Sequence, residues 1–243
     1  MFTTKVMGHR GVAKIAPENT FAGFKAAAEL NVQWVEIDVT LASENAVIVF
    51  HDSSLDRCTN GSGLVINSKI SDIKKLDAGS WFDTRFANET VPTLVEALNC
   101  IQELGLSLNL EIKYEKTDVE RIVPAVMEQL EQHWHDKSTL MISSFNEAAL
   151  KLVRQLDSDI RLGQLYKKVP DNWQQTLEGI QAFSLNCHYE TLTKETAIAI
   201  KQAGYYLFCY TANDPQLVES HWDWGMDTII TDDPAIFMQL GIK

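Results

Sequence analysis

Residues 34–38 read WVEID, a strand-like run in which Glu36 and Asp38 stand two positions apart. Side chains alternate along a strand, so both carboxylates share one face while Val35 and Ile37 share the other. Residues 108–113, LNLEIK, repeat the pattern, with Asn109, Glu111 and Lys113 opposing Leu108, Leu110 and Ile112. Three inward carboxylates at neighbouring strand ends raise one another's pKa and do not all ionise without compensation. Two compensations are open. A divalent cation with all-oxygen ligation, Mg²⁺ or Ca²⁺ rather than Zn²⁺, would neutralise them. Alternatively, each acid pairs with a basic neighbour, for which Arg10 and Lys113 are available.

Two histidines are each followed by a charged residue, His9-Arg10 and His51-Asp52. An unperturbed imidazole titrates close to neutrality, which suits general acid–base work. Direct metal ligation is the other role open to them. His133, His135, His188 and His221 fall in helical or loop contexts and are expected on the surface.

These groups need elements to bring them together. Strand-like runs cover Lys5–His9, Trp34–Val39, Val47–His51, Leu108–Lys113, Leu140–Ser144, Arg161–Tyr166, Phe183–Asn186, Tyr206–Thr211 and Thr228–Thr231, with helix-like stretches between most of them. Pro17-Glu18-Asn19 precedes a helix with Phe21, Phe24 and Ala28 on one face, and Thr93-x-x-Glu96 has the form of a capping box. Asp214-Pro215 and Asp233-Pro234 read as N-caps followed by proline at the first helical position. Val47–His51 follows the second strand after a short turn at about Ser43–Asn45, too close for a parallel crossover. It is therefore expected as a hairpin partner, which leaves eight strands for a (β/α)₈ TIM barrel; a doubly wound open sheet is the competing α/β architecture. Residues 52–92 hold no clear βα unit and are expected as an inserted subdomain over the mouth of one domain spanning residues 1–243. In such a barrel the site lies at the C-terminal strand ends, where His9, Arg10, Glu36, Asp38, Glu111, Lys113, Ser143-Ser144, Asn186, Tyr210–Asn213 and Thr231-Asp232 fall, and the hairpin adds His51-Asp52.

With 243 residues and 45% hydrophobic content, the chain can bury a core of that size. Its formal charge of −12 argues against nucleic acid and against an anionic membrane surface as partners. No run reaches transmembrane length, and MFTTKVMGHR lacks the basic-then-apolar form of a signal peptide, so a cytoplasmic protein is expected. Cys58, Cys100, Cys187 and Cys209 show no CxxC spacing and are expected as reduced thiols, with Cys209 in the core.

Taken together, several stretches resemble the glycerophosphodiester phosphodiesterase family: GHRGVAKIAPENTFAGF at 8–24, VEIDVTLASENAVIVFHDSSLDRCTNGSG at 35–63, VPTLVEAL at 91–98, LNLEIK at 108–113, SSF at 143–145, YTAND at 210–214 and TDDP at 231–234. They occur in order along nearly the whole chain and look most like the short cytoplasmic bacterial members. The resemblance implies a (β/α)₈ barrel with a small insertion after the second strand. It also implies metal-dependent hydrolysis of small glycerophosphodiesters to sn-glycerol 3-phosphate and an alcohol. By motif, His9 and His51 become the acid–base pair, Glu36, Asp38 and Glu111 the ligands of one divalent cation, Mg²⁺ or Ca²⁺, and Arg10 and Lys113 the phosphate contacts. The family's late aromatic is often Trp in a WT-x-N motif, where this chain has Tyr210. Tyr keeps a ring at the pocket wall and adds a hydroxyl, which bears on the choice of alcohol. The alternative chemistry is a phospholipase C- or D-like lyase that leaves a cyclic phosphate.

Overall fold

The computed structural model describes residues 2–114 and 118–242. Nine strands form one sheet: β1 (Val6–Gly8), β2 (Trp34–Leu41), β3 (Val47–Val49), β4 (Ser107–Ile112), β5 (Leu140–Ser144), β6 (Arg161–Tyr166), β7 (Ser184–His188), β8 (Tyr206–Tyr210) and β9 (Thr228–Thr231). Between them run α1 (Phe21–Glu29), α2 (Ile70–Ile73), α3 (Leu94–Glu103), α4 (Val119–His133), α5 (Glu147–Leu156), α6 (Trp173–Ile180), α7 (Lys194–Gln202), α8 (Glu219–Asp223) and α9 (Pro234–Gln239). Every ring pairing is parallel, and β1 pairs with both β2 and β9, which closes the barrel and rules out the open sheet. β3 lies antiparallel on β2, Val39 opposite Val49, as the short turn requires. This is a TIM barrel, with eight parallel strands in its ring.

Strand alternation divides the side chains into two layers. Val35, Ile37, Val39, Leu108, Leu110 and Ile112 are buried outward against Phe24 and Ala27 of α1 and Leu98 and Ile101 of α3. Each such side chain contributes about 1.5–3 kcal/mol by leaving water. The inward row at the N-terminal end is apolar, with Met7, Trp34, Met141, Phe208 and Ile230 packed together. The inward row toward the C-terminal end is polar.

Helix starts follow the expected chemistry with one exception. Thr93 and Glu96 form the capping box at α3. The Asp214 carboxylate accepts from the Gln216 N–H at 2.9 Å, although the turn it caps is 3₁₀ rather than α. Asp233 does not cap α9 with its side chain; its own N–H donates instead to Thr231 Oγ1 at 3.1 Å. Residues 52–92 contribute no ring strand. They carry α2 and a small core of Leu55, Cys58, Val65, Ile73, Ala78 and Val91 that packs on Ile48 and Phe50. All four cysteines are free, and Cys209 is buried.

Candidate active site

The chain leaves β1 through Gly8-His9-Arg10-Gly11, which turns sharply: Arg10 has φ 52° and Gly11 φ 87°. A Cβ on Gly8 would stand 2.1 Å from the Gly11 carbonyl oxygen, and one on Gly11 2.7 Å from the Gly23 carbonyl carbon. Both positions therefore require glycine. The turn folds Arg10 over the barrel mouth. Its backbone N–H donates to Glu36 Oε2 at 3.1 Å, its Nη1 donates to Glu18 Oε1 at 2.7 Å, and its Nε stands 3.1 Å from Asp38 Oδ2.

Below Arg10 lie the three acids. Register places Glu36 beside Asn109 and Asp38 beside Glu111, so one oxygen from each of Glu36, Asp38 and Glu111 lies within 4.8 Å of the others. They are not equivalent. Asp38 accepts from Asn19 Nδ2 at 2.9 Å, and its own N–H donates to Asn19 Oδ1 at 3.2 Å. Lys113 Nζ donates to Glu111 Oε1 at 2.8 Å and stands 3.6 Å from Asp38 Oδ1. Burial pushes the Asp38 carboxyl upward, but Arg10 and Lys113 outweigh it and hold Asp38 below its ordinary value. Glu36 goes the other way: burial, then the charges of Asp38 and Glu111, push it well above the usual carboxylate range. Glu111 is raised for the same reasons, burial first and Asp38 next. Glu36 Oε1 is buried with no hydrogen-bond partner among the described residues. A buried carboxylate oxygen without a donor, beside two more carboxylates, is the donor set a hard divalent cation fits. The proposed pairing of acids with basic neighbours holds for Asp38 and Glu111; Glu36 has only Arg10, whose N–H and charge are outweighed by burial and the two neighbouring acids.

The two histidines frame this group. His9 Nδ1 lies 2.6 Å from Asp232 Oδ1, and His51 Nδ1 2.6 Å from Asp52 Oδ1. A carboxylate only accepts, so each histidine carries its Nδ1 proton there and presents Nε2 elsewhere. His9 Nε2 stands 3.9 Å from Glu36 Oε2. Asp232 is itself held by Asn213 Nδ2 at 2.7 Å. Burial lowers the His51 pKa below its ordinary value, with Asp38 working against the shift and Arg10 adding to it.

His9, Arg10, Glu36, His51, Glu111, Lys113 and Tyr210 all line one cavity of about 230 Å³, with Phe145 and His188 on its wall. Asp38 lies beneath it, 1% exposed, joined through Arg10 and Lys113. An open groove of about 570 Å³ adjoins the cavity and shares His51, Glu111, Lys113 and Phe145 with it, continuing past Thr40, Ser53, Ser54 and Tyr114. His51 borders both spaces, whereas His9 borders the cavity alone. The Tyr210 hydroxyl donates to the Tyr166 carbonyl at 2.9 Å, so the ring lines the wall while its hydroxyl is engaged outside the cavity.

Thus all eight residues singled out in the sequence converge. Two surface expectations fail. His188 ends β7 facing the cavity, its ring 5.8 Å from that of Tyr210. His221 is buried, with Nε2 3.0 Å from the Tyr189 carbonyl oxygen and its ring 4.4 Å from Trp224. Sequence reasoning assigns no partner to Glu18, Asn19, Arg57, Asp232 or Asn213, because spacing does not show that Glu18 meets Arg57, Asn19 meets Asp38, or Asp232 meets both His9 and Asn213. Among the described residues, no helix is long and apolar enough to cross a membrane.

A closed parallel barrel whose mouth gathers three acids that could hold a cation, two carboxylate-anchored histidines and two basic side chains has the form of a (β/α)₈-barrel enzyme. Residues 9–236 match the glycerophosphoryl diester phosphodiesterase family. Over 243 residues the chain is 35% identical to a glycerophosphodiester phosphodiesterase of Caldanaerobacter subterraneus subsp. tengcongensis, covering 98% of this chain and 97% of that one. It is 29% identical to the Bacillus subtilis glycerophosphodiester phosphodiesterase, covering 95% of this chain and 84% of that one. A solved Oleispira antarctica phosphodiesterase, in complex with the product sn-glycerol-3-phosphate, superposes with a TM-score of 0.96 at 36% identity, over 100% of this chain and 98% of that one. The chain belongs to the glycerophosphoryl diester phosphodiesterase family.

Proposed function

We propose that this chain hydrolyses glycerophosphodiesters to sn-glycerol 3-phosphate and an alcohol, with His9 and His51 as its acid–base pair. The observation that carries this reading is the convergence of His9, His51, Arg10 and Lys113 on one acid-lined cavity. The sn-glycerol-3-phosphate bound by the Oleispira relative supports glycerol phosphate as the half of the substrate that enters the cavity. The departing alcohol then occupies the open groove, which His51 borders and His9 does not.

Roles follow from that division. Arg10 grips the phosphoryl group through its guanidinium fork and Lys113 adds a point charge. The nucleophile, water or the glycerol 2-hydroxyl, gives its proton to His9 Nε2 as its oxygen bonds to phosphorus. The bond from phosphorus to the alcohol oxygen breaks, and that oxygen takes the proton from His51 Nε2. Where the 2-hydroxyl attacks, water then opens the cyclic ester by the reverse proton path. Each transfer is worth about 10²–10⁴ in rate. Glu36, Asp38 and Glu111 would hold one divalent cation, Mg²⁺ or Ca²⁺, which when bound stabilises charge on the phosphoryl oxygens as a Lewis acid. Binding of the anionic phosphodiester beside His51 opposes the effect of burial and favours the imidazolium needed for donation.

Release of sn-glycerol 3-phosphate from glycerophosphocholine and glycerophosphoethanolamine, assayed with EDTA and after adding Mg²⁺ or Ca²⁺, tests the reading. Metal-dependent release supports it. No turnover of any glycerophosphodiester, or a cyclic phosphate persisting as the final product by phosphorus NMR, overturns it.

A further inference from the structure

Arg57 lies in the inserted segment, outside the cavity, and joins two site groups that otherwise share no partner. Its Nε donates to Asp52 Oδ2 at 2.6 Å and its Nη2 to Asp52 Oδ1 at 2.9 Å. On its other edge, Nη1 donates to Glu18 Oε2 at 2.7 Å and Nη2 to Glu18 Oε1 at 2.8 Å. One guanidinium thus holds two carboxylates, each through two hydrogen bonds. Asp52 in turn holds His51 Nδ1, and Glu18 holds Arg10 Nη1. The chain of contacts runs from the imidazole bordering the groove to the guanidinium over the acids without a gap.

Stability is a weak explanation for this arrangement. The Arg57 side chain is 45% exposed, so solvent screens these pairs and limits what they add to stability, even with bidentate geometry. Geometry is a better one. Four donors in a rigid plane fix the tilt of both carboxylates, which an ammonium, a point charge on a flexible stem, does not do. Asp52 and Glu18 point their remaining hydrogen bonds at groups whose aim decides rate and affinity, and small misplacements of such groups are costly.

We propose that Arg57 is a positioning residue shared by the two halves of the reaction: through Asp52 it aims His51 at the leaving oxygen, and through Glu18 it aims Arg10 at the phosphate. This rests on the phosphodiesterase reading above. It gives Arg57 a double signature, a defect in proton donation and a defect in phosphate affinity. Asp52→Asn should carry the first alone and Glu18→Gln the second alone.

The test compares two substrates. Glycerophosphocholine leaves as an alkoxide that needs a proton, whereas the p-nitrophenyl ester of glycerol 3-phosphate releases a phenoxide that does not. For Arg57→Ala, kcat on glycerophosphocholine should fall about 10–100-fold, the usual cost of losing a group that orients a site residue. On the p-nitrophenyl ester kcat should fall far less, while inhibition by added sn-glycerol 3-phosphate weakens with both substrates. Arg57→Lys should resemble Arg57→Ala, because charge without the fork does not serve. Equal losses of kcat on both esters with unchanged product inhibition would overturn the proposal, as would wild-type behaviour of Arg57→Lys. If Arg57→Ala does not give a cooperative melt, Arg57→Lys and the Asp52→Asn and Glu18→Gln pair decide by the same readouts. A wild-type chain that turns over neither ester refutes the phosphodiesterase reading itself; a wild type active on both isolates any failure to Arg57.

Discussion

Glu36 and Asp38 project from the same face of one strand, yet their surroundings drive their protonation in opposite directions. Asp38 has Arg10, Lys113 and Asn19 around it and is held ionised. Glu36 has a buried oxygen with no partner among the described residues and is pushed well up by burial, with Asp38 and Glu111 adding to the shift. Their neutral isosteres should therefore have opposite effects on the metal-free protein.

Glu36→Gln removes an acid that Arg10 compensates only in part and should raise the metal-free Tm at neutral pH, by about 2–4 °C per kcal/mol for a chain of this size. Asp38→Asn leaves Arg10 and Lys113 short of a counter-charge and should lower it, with a cost of about 3–5 kcal/mol for breaking a buried pair. Both should weaken Mg²⁺ or Ca²⁺ binding by at least about 10–100-fold. Thermal melts in EDTA and calorimetric titration with each ion measure the two effects. Equal Tm shifts in the two variants would refute the asymmetry.

The same asymmetry sets a pH dependence. The folded-state pKa values of Glu36 and Glu111 lie above their unfolded values. Their contribution to stability is full below the ordinary glutamate value, about 4.3, and is lost as pH rises through the raised folded values. In EDTA, the Tm difference between Glu36→Gln and wild type should widen as pH rises from that point. Adding Ca²⁺ or Mg²⁺ should stabilise wild type more at pH 8 than at pH 5, with protons released on binding. Titrations in buffers of differing ionisation enthalpy count those protons. A flat Tm difference across the range would contradict the raised values.

His9→Ala and His51→Ala should each lower kcat on glycerophosphocholine by about 10²–10⁴ while leaving the melting curve close to wild type. On the proposed roles the defects should separate with the leaving group, since it is His51 that would protonate the alcohol oxygen. The p-nitrophenyl ester should recover most of the rate in His51→Ala and little in His9→Ala. Recovery in His9→Ala instead would exchange their roles. If His51 is the proton donor proposed, it must carry its proton, and burial lowers its pKa, so kcat/KM should fall as pH rises through a value below that of an ordinary imidazole. Asp52 supports the charged ring, so Asp52→Asn should move that fall to still lower pH.

Much of this site is legible in the sequence because period-two alternation survives even where strands carry charges. Glu36, Asp38, Glu111 and Lys113 are found from that period alone, and the barrel rule then brings His9 and His51 to the same end. What spacing does not reveal is partnership across the fold. His9 and Asp232 are 223 residues apart in sequence and 2.6 Å apart in space. Glu18 and Arg57 are 39 apart and meet only because the insertion folds back over the loop after β1. His188 escapes notice for another reason. The strand-like run reads as ending at Asn186, but β7 continues through buried Cys187 to His188, and the inward parity of Ser184 and Asn186 carries that ring to the cavity wall. His221 sits on a short polar helix whose exposure is overridden by the Trp224 ring and the Tyr189 carbonyl.

Gly11 gives the most local prediction. Alanine there meets two penalties: a φ of 87°, which costs an L residue about 1 kcal/mol, and a Cβ placed 2.7 Å from the Gly23 carbonyl carbon. Overpacking of that kind adds about 1–3 kcal/mol, because the backbone of α1 is what has to move. Gly11→Ala should therefore destabilise the fold by about 2–4 kcal/mol. Activity should suffer more than stability alone implies. Relief of the clash displaces the turn that carries His9 and Arg10, and a displacement of about 1 Å at a reacting group costs about 10²-fold in rate. Measured well below its Tm, Gly11→Ala should still show that loss in kcat/KM, with circular dichroism unchanged. Wild-type kcat/KM in a folded Gly11→Ala protein would mean that the turn tolerates a side chain and does not set the aim of the two residues it carries.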